Sequence, residues 1–354
     1  MHSLTFPFSC KCNALQPLKL ARVSARSGLG IVVKSGVWAW VPLGLLAACS
    51  GPQSALNPAG HEASAVARLF WGMAIATLVI WIAMMLLSLH ASRRRGEPWS
   101  ERAASRLILY GGALVPTVLL AALLVFGLRL MPELRAPGSG GTRVLVEGEQ
   151  FWWRVRYELQ DGTRFDTANE IRLPRGERVE FLLTAEDVIH SFWIPSLGGK
   201  MDMIPGTTNR LVLQPDRVGR FRGACAEFCG ASHALMAFEV EVMEPDDFRA
   251  WAAREAAPVA APPGQGAALF LKNGCGACHG VRGLAAATGR IGPDLTHLGA
   301  RQFVGAGTLP NTVDNIDRFI RDTRAIKPAA RMPSYATLPR EETMAIATWL
   351  GSLR

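Results

Sequence analysis

The stretch from Cys225 to Met236 reads CAEFCGASHALM and places two thiols, an imidazole and a thioether on one short segment. A second imidazole, that of His190, comes from the earlier segment DVIHSFWIP. Thiolate, thioether and imidazole ligands suit copper, whereas magnesium and calcium prefer oxygen. Zinc shares the two-cysteine, two-histidine donor set and is the alternative, but Met236 and the histidine from a second loop favour copper. The sequence therefore predicts a copper site built from two loops.

The residues around this stretch are typical of an all-β domain. Short β-rich runs, broken by Gly, Pro and Asp, extend from Thr142 to Met243. The runs are Arg143–Glu147, Phe151–Tyr157, Val179–Thr184, Asn209–Gln214 and Phe238–Met243. Strands at this spacing within about 100 residues predict a β-sandwich or Greek-key barrel, whose end loops can carry ligands.

A second motif lies nearer the C-terminus, where Cys275-Gly-Ala-Cys278-His279 forms the pattern C-x-x-C-H. This is the covalent attachment signature of a c-type haem, in which the two thiols bind the vinyl groups and the histidine binds the iron. A redox-active disulfide is the alternative for a bare C-x-x-C pair. The adjacent His279 favours haem.

The second axial ligand of the iron must come from further along the chain, and Met332 in the segment Lys327–Pro333 is the candidate. His297 and Met344 are its rivals. Met344 falls within a predicted C-terminal helix, Arg340–Leu353, whose apolar stripe explains it better as a core residue. A methionine ligand raises the reduction potential and closes the iron to oxygen, which favours electron transfer.

Two uncharged apolar runs, Leu69–Leu89 and Leu107–Leu128, are each long enough to cross the roughly 30 Å hydrocarbon core of a bilayer. The link between them carries five arginines, so the positive-inside rule places it in the cytoplasm. The sequence therefore predicts a transmembrane hairpin over residues 65–130. Everything after it would lie on the periplasmic or outer side of a bacterial plasma membrane.

The N-terminal region has the features of an export signal. Cys49 ends the string LAAC after the apolar run Val37–Leu46, and Lys34 precedes that run. The string resembles a bacterial lipobox, which predicts a leader over residues 1–48, a lipidated Cys49 and a periplasmic segment over residues 49–64. An ordinary secretory signal and a short buried helix are the alternatives.

The net charge of +9 does not indicate a nucleic-acid-binding protein, because the charge is divided among segments. Residues 143–250 hold 13 basic and 18 acidic residues, a net charge of −5, whereas residues 265–354 hold 11 and 6, a net charge of +5. An Ala/Pro-rich linker, residues 251–264, separates a copper domain predicted over residues 142–250 from a haem domain predicted over residues 265–354. We expect the opposite charges to guide the two domains together through weak, salt-sensitive contact.

The hairpin, the β-rich region and the motifs DVIHSFWIPSLGGKMD and CAEFCGASHALM together resemble cytochrome c oxidase subunit II over about residues 65–250. The resemblance implies a cupredoxin-like Greek-key sandwich that holds a binuclear copper A centre. Its ligands would be the bridging thiolates of Cys225 and Cys229, the imidazoles of His190 and His233, the weak thioether of Met236 and the backbone carbonyl of Glu227. It also implies that the Glu227 carboxylate reaches a magnesium site shared with subunit I.

The C-terminal region, residues 265–354, resembles a small all-α class I cytochrome c through its C-x-x-C-H motif, its Gly292-Pro293 loop and the KPxxxMP segment that contains Met332. The whole chain thus resembles the subunit II of caa-type haem-copper oxidases, in which a cytochrome c domain is fused to the copper domain. This implies that electrons pass from haem c to copper A and on to the haems of subunit I, where oxygen is reduced to water and protons are pumped. The implied partners are subunit I, other integral membrane subunits, and cytochrome c or another respiratory donor.

Two other functions remain open at this stage. One is the electron-accepting subunit of a copper-A nitric oxide reductase, which would use the same two redox centres. The other is a free-standing, membrane-anchored electron carrier. Glu227 and the loop of Lys200 and Asp202 argue against a free-standing carrier, because in the oxidase family the corresponding residues face subunit I.

One residue departs from the family pattern. Where the family has a tryptophan taken to receive electrons from a docked cytochrome c, this chain has Phe151, followed by Trp152 and Trp153. The tether to the haem domain raises its effective concentration at the copper domain to roughly millimolar. We therefore hypothesise that haem c is the obligatory electron donor to copper and that Phe151 matters little.

Overall fold

The computed structural model describes residues 51–93, 99–135, 141–260 and 262–354. The predicted leader and the predicted lipidation site at Cys49 lie outside the described residues. The described part consists of two long apolar helices, a ten-stranded β-sandwich and a small helical domain.

The first two elements are long apolar helices. Helix α1 spans His61–Arg93. The second long helix consists of three consecutive segments: α2 Glu101–Arg106, a π-helical segment Leu107–Leu114 and α3 Val115–Arg135. Stretches of 33 and 32 residues, His61–Arg93 and Glu101–Pro132, are long and apolar enough to cross a membrane by length and composition. Their large apolar side chains are exposed, so nothing in the described protein covers them. The prediction of two long apolar helices is confirmed.

The sandwich consists of two five-stranded sheets. The strands are β1 Arg143–Glu149, β2 Trp152–Glu158, β3 Arg164–Ala168, β4 Glu170–Pro174, β5 Val179–Ala185, β6 His190–Trp193, β7 Met201–Met203, β8 Asn209–Leu213, β9 Gly219–Cys225 and β10 Ala237–Met243. One sheet has the order β3-β2-β1-β5-β8 and the other β4-β10-β9-β6-β7. The pairs β1–β5 and β4–β10 are parallel, and the other neighbours are antiparallel.

The core of the sandwich forms because side chains alternate between buried and partly exposed along the strands, as in β2 and β5. Three fully buried rings lie between the sheets near the metal-ligand candidates. The Trp153 ring meets Phe192 and Phe238 edge to face at 5.9 and 5.1 Å, and Phe192 stacks on Phe238 at 4.8 Å between centroids. This aromatic packing gives the end of the sheet a rigid base.

The helical domain follows α4 Pro245–Ala256 and the linker. Its elements are α5 Gln265–Lys272, α6 Cys275–Cys278, a short strand pair β11 Phe303–Val304 and β12 Leu309–Pro310, α7 Val313–Arg321, α8 Thr323–Ile326 and α9 Arg340–Ser352. Helix α9 packs against α5 and α7, and the Phe270 and Trp349 rings meet at 5.1 Å. The fold class predicted from the sequence is therefore confirmed.

Candidate functional site

The copper-ligand candidates converge at one end of the sandwich. Strand β6 places His190 beside the end of β9, where Cys225 pairs with Phe192 across the ladder. The Cys225 Sγ atom lies 3.8 Å from His190 Nδ1 and 3.9 Å from Cys229 Sγ. The structure therefore joins a histidine and two cysteines that are 35 and 39 positions apart in the chain.

The loop between β9 and β10 supplies the other candidates. Cys229 Sγ lies 3.6 Å from His233 Nδ1 and 3.8 Å from Met236 Sδ, and the Glu227 carbonyl oxygen lies 3.1 Å from Cys225 Sγ. A short 3₁₀ turn, His233–Leu235, folds this loop back over the cysteines. All six atoms that the resemblance implies as copper ligands are thus brought together.

The donor set fits a copper pair held by shared thiolates. Metal–sulfur bonds in protein sites are about 2.3 Å long, so one ion can contact two sulfur atoms up to about 4.6 Å apart. The separation of 3.9 Å between the Cys225 and Cys229 sulfur atoms lies within that span. A hydrogen bond from Cys229 holds the pKa of the Cys225 thiol well below its usual range, which favours the thiolate that a metal needs.

Asp187 fixes the orientation of His190, although sequence reasoning did not single it out. The His190 ring is fully buried, and its Nε2 atom lies 2.9 Å from Asp187 Oδ1. An ionised carboxylate only accepts hydrogen bonds, so Nε2 carries the proton and Nδ1 presents a lone pair to the sulfur side. The sequence did offer a signal for Asp187, because it lies three residues before His190 in DVIH. Metal-bound histidines usually donate a hydrogen bond from their second nitrogen to such a carboxylate.

The predicted magnesium ligand, Glu227, lies on the outer surface of the loop between β9 and β10, residues 226–236 (the copper loop). The Glu227 side chain is exposed and interacts electrostatically with Lys200, whose Nζ atom lies 2.8 Å from Asp202 Oδ1. Phe228 is 76% exposed beside them and meets the His233 ring at 5.7 Å. Lys200, Glu227 and Phe228 thus form a rim that carries both charged groups and a large apolar ring.

The haem-ligand candidates line one apolar cavity. Cys275, Cys278, His279 and Met332 all border it, together with apolar side chains from α5, α7 and α9. Both cysteines are free thiols in the structure, as covalent attachment of a haem requires. The cavity therefore offers the two attachment points and both axial candidates to a single planar group.

His279 has the geometry of an iron ligand. Its Nδ1 atom donates to the Pro293 carbonyl oxygen at 2.8 Å, which leaves the Nε2 lone pair for a metal. Burial lowers the pKa of His279, so the neutral imidazole is favoured. A Cβ atom at Gly292 would lie only 2.5 Å from the ring, so the absence of a side chain there makes room for the imidazole.

The structure separates Met332 from its rivals. Of the described residues, Met332 borders the cavity, whereas neither His297 nor Met344 does. The His297 ring is buried, and its Nε2 atom lies 3.1 Å from the Ala257 carbonyl oxygen. These positions support Met332 as the second axial candidate.

The two domains touch directly at the copper loop. The Lys327 side chain is 3% exposed, and its Nζ atom donates to the carbonyl oxygens of Leu235 at 2.9 Å and Gly305 at 2.7 Å. The Ser232 hydroxyl donates to the Pro328 carbonyl oxygen at 2.6 Å. The segment that carries Met332 is thus hydrogen-bonded to the loop that carries Cys229 and Met236.

Phe151 lies where the two sites approach each other. Its side chain is 3% exposed, and Gln150, Phe151 and Trp152 border the haem cavity from the copper domain. A Cβ atom at Gly230 would lie 3.2 Å from the Phe151 ring, and the Gln150 amide donates to the Cys229 carbonyl oxygen at 2.6 Å. The turn before β2 therefore forms a wall between the haem cavity and the copper loop.

Comparisons with known proteins agree with both halves of this site. The family model described as cytochrome c oxidase subunit II, periplasmic domain, matches residues 155–243, and that of cytochrome c matches residues 264–354. Cytochrome c oxidase subunit 2 of Alkalihalophilus pseudofirmus is 40% identical over 221 residues, which is 61% of this chain and 63% of that protein. The subunit 2 of a Bacillus species is 36% identical over 225 residues, covering 60% and 62%.

A more distant relative extends the comparison beyond bacteria. Cytochrome c oxidase subunit 2 of Branchiostoma floridae is 32% identical over 155 residues, which is 39% of this chain and 67% of that protein. The chain spans somewhat less than two thirds of the length of the two bacterial relatives.

Proposed function

Because this chain belongs to the cytochrome c oxidase subunit II family, we propose that it is the electron-accepting subunit of a respiratory haem-copper oxidase. Electrons would be received at haem c, passed to a binuclear copper A centre and delivered to the haems of subunit I for the reduction of oxygen to water. One observation carries the proposal: the haem cavity and the copper loop share the wall formed by Gln150, Phe151 and Trp152.

Bound haem c and a bound copper pair supply one-electron redox chemistry, and the residues of this chain hold them in place. His279 and Met332 would hold the haem iron, and a haem held by a histidine and a methionine is suited to electron transfer. Cys225 and Cys229 would hold the coppers, and the buried sandwich end would resist movement of the ligands when the charge changes. These features suit electron relay, and oxygen chemistry would belong to the partner subunit.

The two apolar helices would anchor the chain in a bacterial plasma membrane, with both soluble domains on the periplasmic side. A lipidated Cys49 would add a second anchor. Subunit I would dock against the rim formed by Glu227, Phe228 and Lys200, and the Glu227 carboxylate would contribute to a magnesium site there. A charged rim around an exposed ring is the composition expected of a protein–protein contact.

The purified membrane complex tests this function. We expect a co-purifying haem-bearing integral membrane subunit, the copper A signal in electron paramagnetic resonance (EPR) spectra, and c-type haem bound to this chain. Oxygen consumption with reduced cytochrome c, compared with nitric oxide consumption, separates an oxidase from a nitric oxide reductase. A chain that purifies alone, without a haem-bearing partner, would contradict the proposal and favour a free-standing carrier.

The order of electron transfer is tested by two changes in the full-length chain. Replacing both Cys275 and Cys278 by serine removes covalent haem, and we expect copper reduction by external cytochrome c to fall strongly. Phe151→Leu keeps an apolar side chain in the wall between the two sites, and we expect it to leave the rate of copper reduction nearly unchanged. Undiminished copper reduction in the haem-free variant would refute haem c as the obligatory donor.

The axial assignment has a matched pair of variants. Met332→Leu should change the optical spectrum of the haem and lower its reduction potential, because the iron loses its thioether. Met344→Leu makes the same chemical change in α9, outside the cavity, and should leave both properties as in the wild type.

A further inference from the structure

An ion pair joins the two domains beside both sets of metal-ligand candidates. Arg331 precedes Met332 in the haem domain, and its Nη2 atom lies 3.3 Å from Asp187 Oδ2 in the copper domain. The other oxygen of the same carboxylate accepts from His190 Nε2 at 2.9 Å. A single acidic side chain therefore contacts both the neighbour of an iron-ligand candidate and a copper-ligand candidate.

The Asp187 carboxylate is held rigidly. Its Oδ1 atom also accepts from the Val188 backbone N–H, and its Oδ2 atom accepts from the Gln150 backbone N–H, both at 2.8 Å. The Gln150 side chain in turn donates to the Cys229 carbonyl oxygen. Asp187 is only 11% exposed, whereas Arg331 is 59% exposed. The arginine is thus the member of this network most open to change without disturbing the fold.

The network has a direct electrostatic consequence. A carboxylate that accepts a hydrogen bond from the second nitrogen of a metal-bound imidazole makes the imidazole more basic, so that it donates more electron density to the metal. Negative charge near a metal stabilises its oxidised state, so Asp187 acts to lower the copper reduction potential. A guanidinium bound to the same carboxylate withdraws part of that charge and acts in the opposite direction.

We propose that Arg331 is a positioning residue that raises the reduction potential of the copper centre through Asp187, so that docking of the cytochrome c domain tunes the site that accepts its electrons. This inference rests on the proposed copper function. It adds a role for the haem domain besides that of donor, because the docked domain would make the copper centre a better electron acceptor.

The test uses the full-length chain in the purified membrane complex, with the copper potential measured by redox titration followed by EPR. Arg331→Gln should lower the potential, so that the ratio of reduced to oxidised copper at a fixed solution potential falls severalfold. Asp187→Asn should shift the ratio in the opposite direction. Arg331→Lys keeps the charge and should restore most of the wild-type value.

Arg220→Gln is the matched control. Arg220 Nη1 lies 3.3 Å from Gln302 Oε1, so this change also removes an arginine from the domain contact, but at the opposite end of β9 from Cys225. We expect it to leave the copper potential unchanged. Equal shifts for Arg220→Gln and Arg331→Gln would show a general effect of surface charge and would overturn the proposal.

A double variant establishes the route through Asp187. If Arg331 acts through the carboxylate, Arg331→Gln should shift the potential much less in an Asp187→Asn background than in the wild type. The same shift in both backgrounds would overturn the proposal. Wild-type protein that binds no copper would refute the proposed function itself, whereas copper that binds with an unchanged potential in Arg331→Gln would refute this inference alone.

Discussion

The substitution Gly148→Ala tests the copper site through a single added methyl group. Gly148 lies on β1, and a Cβ atom there would be 2.9 Å from Cδ2, 3.0 Å from Cγ and 3.2 Å from Cβ of His190. Carbon atoms in favourable contact are about 3.5 to 4.0 Å apart, so the two groups must separate by roughly 0.5 to 1 Å. The His190 ring is hydrogen-bonded to Asp187 and surrounded by the core, so the ring has little room to move away.

The expected loss follows from these distances. Overpacking of a buried site costs about 1 to 3 kcal/mol of the free energy of unfolding. Metal–ligand distances tolerate only about 0.2 Å, so a displaced His190 should bind copper poorly. Comparable disturbances around metal ligands reduce metal affinity about 10- to 100-fold, and we expect an effect of that size for Gly148→Ala.

The assay measures copper content, the EPR spectrum and the thermal unfolding temperature for three variants. Gly199→Ala is the control, because a Cβ atom there has no neighbour within 4 Å. Gly292→Ala crowds the His279 ring instead, so it should disturb the haem spectrum and leave copper bound. Gly148→Ala protein with the full copper content and an unaltered EPR spectrum would refute His190 as a ligand held by this packing.

Three other predictions concern single positions. Met236→Leu should keep copper bound with a shifted potential, whereas Cys229→Ser should lose the binuclear centre, because bridging thiolates hold both metals; equal copper loss in both variants would contradict the assignment. Burial lowers the pKa of Lys327 to about 7, so the folded state binds fewer protons than the unfolded chain between about pH 7 and pH 10.5. Stability should therefore rise with pH in that window, by at most about 1.4 kcal/mol per pH unit, and Lys327→Met should flatten the slope in denaturant titrations; parallel slopes would count against this. Mass spectrometry of the mature subunit should find lipidated Cys49 as its first residue, and a retained leader would contradict the lipobox assignment.

The local sequence pattern predicted strands in which buried and partly exposed side chains alternate. The run Val179–Thr184 corresponds to β5, Val179–Ala185, in which the apolar residues Val179, Phe181 and Leu183 fall on every second position and are buried. Strand β6, His190–Trp193, was missed because its first three residues are all buried and show no alternation. Strand β7 has only three residues, which are too few to carry a pattern.

The same distinction applies to the sites. Cys225, Cys229 and His233 fall on one short loop, so their spacing alone indicated a metal site. The contact between Asp187 and Arg331 joins positions that are 144 residues apart, and no local pattern could reveal it. The burial of Lys327 was likewise unpredictable, because a lysine in a loop is ordinarily exposed.

The contacts between the two domains include a kind that net charge did not predict. Opposite charges of −5 and +5 suggested weak attraction that salt would screen. Besides the ion pair of Arg331 and Asp187, the structure places the buried Lys327 Nζ atom on the Leu235 carbonyl oxygen and the buried Ser232 hydroxyl on the Pro328 carbonyl oxygen. Hydrogen bonds made by buried groups are screened by salt much less than exposed ion pairs, and they require one relative placement of the partners. The long-range charge therefore serves to bring the tethered domains together, whereas the buried hydrogen bonds determine how the Met332 segment meets the copper loop.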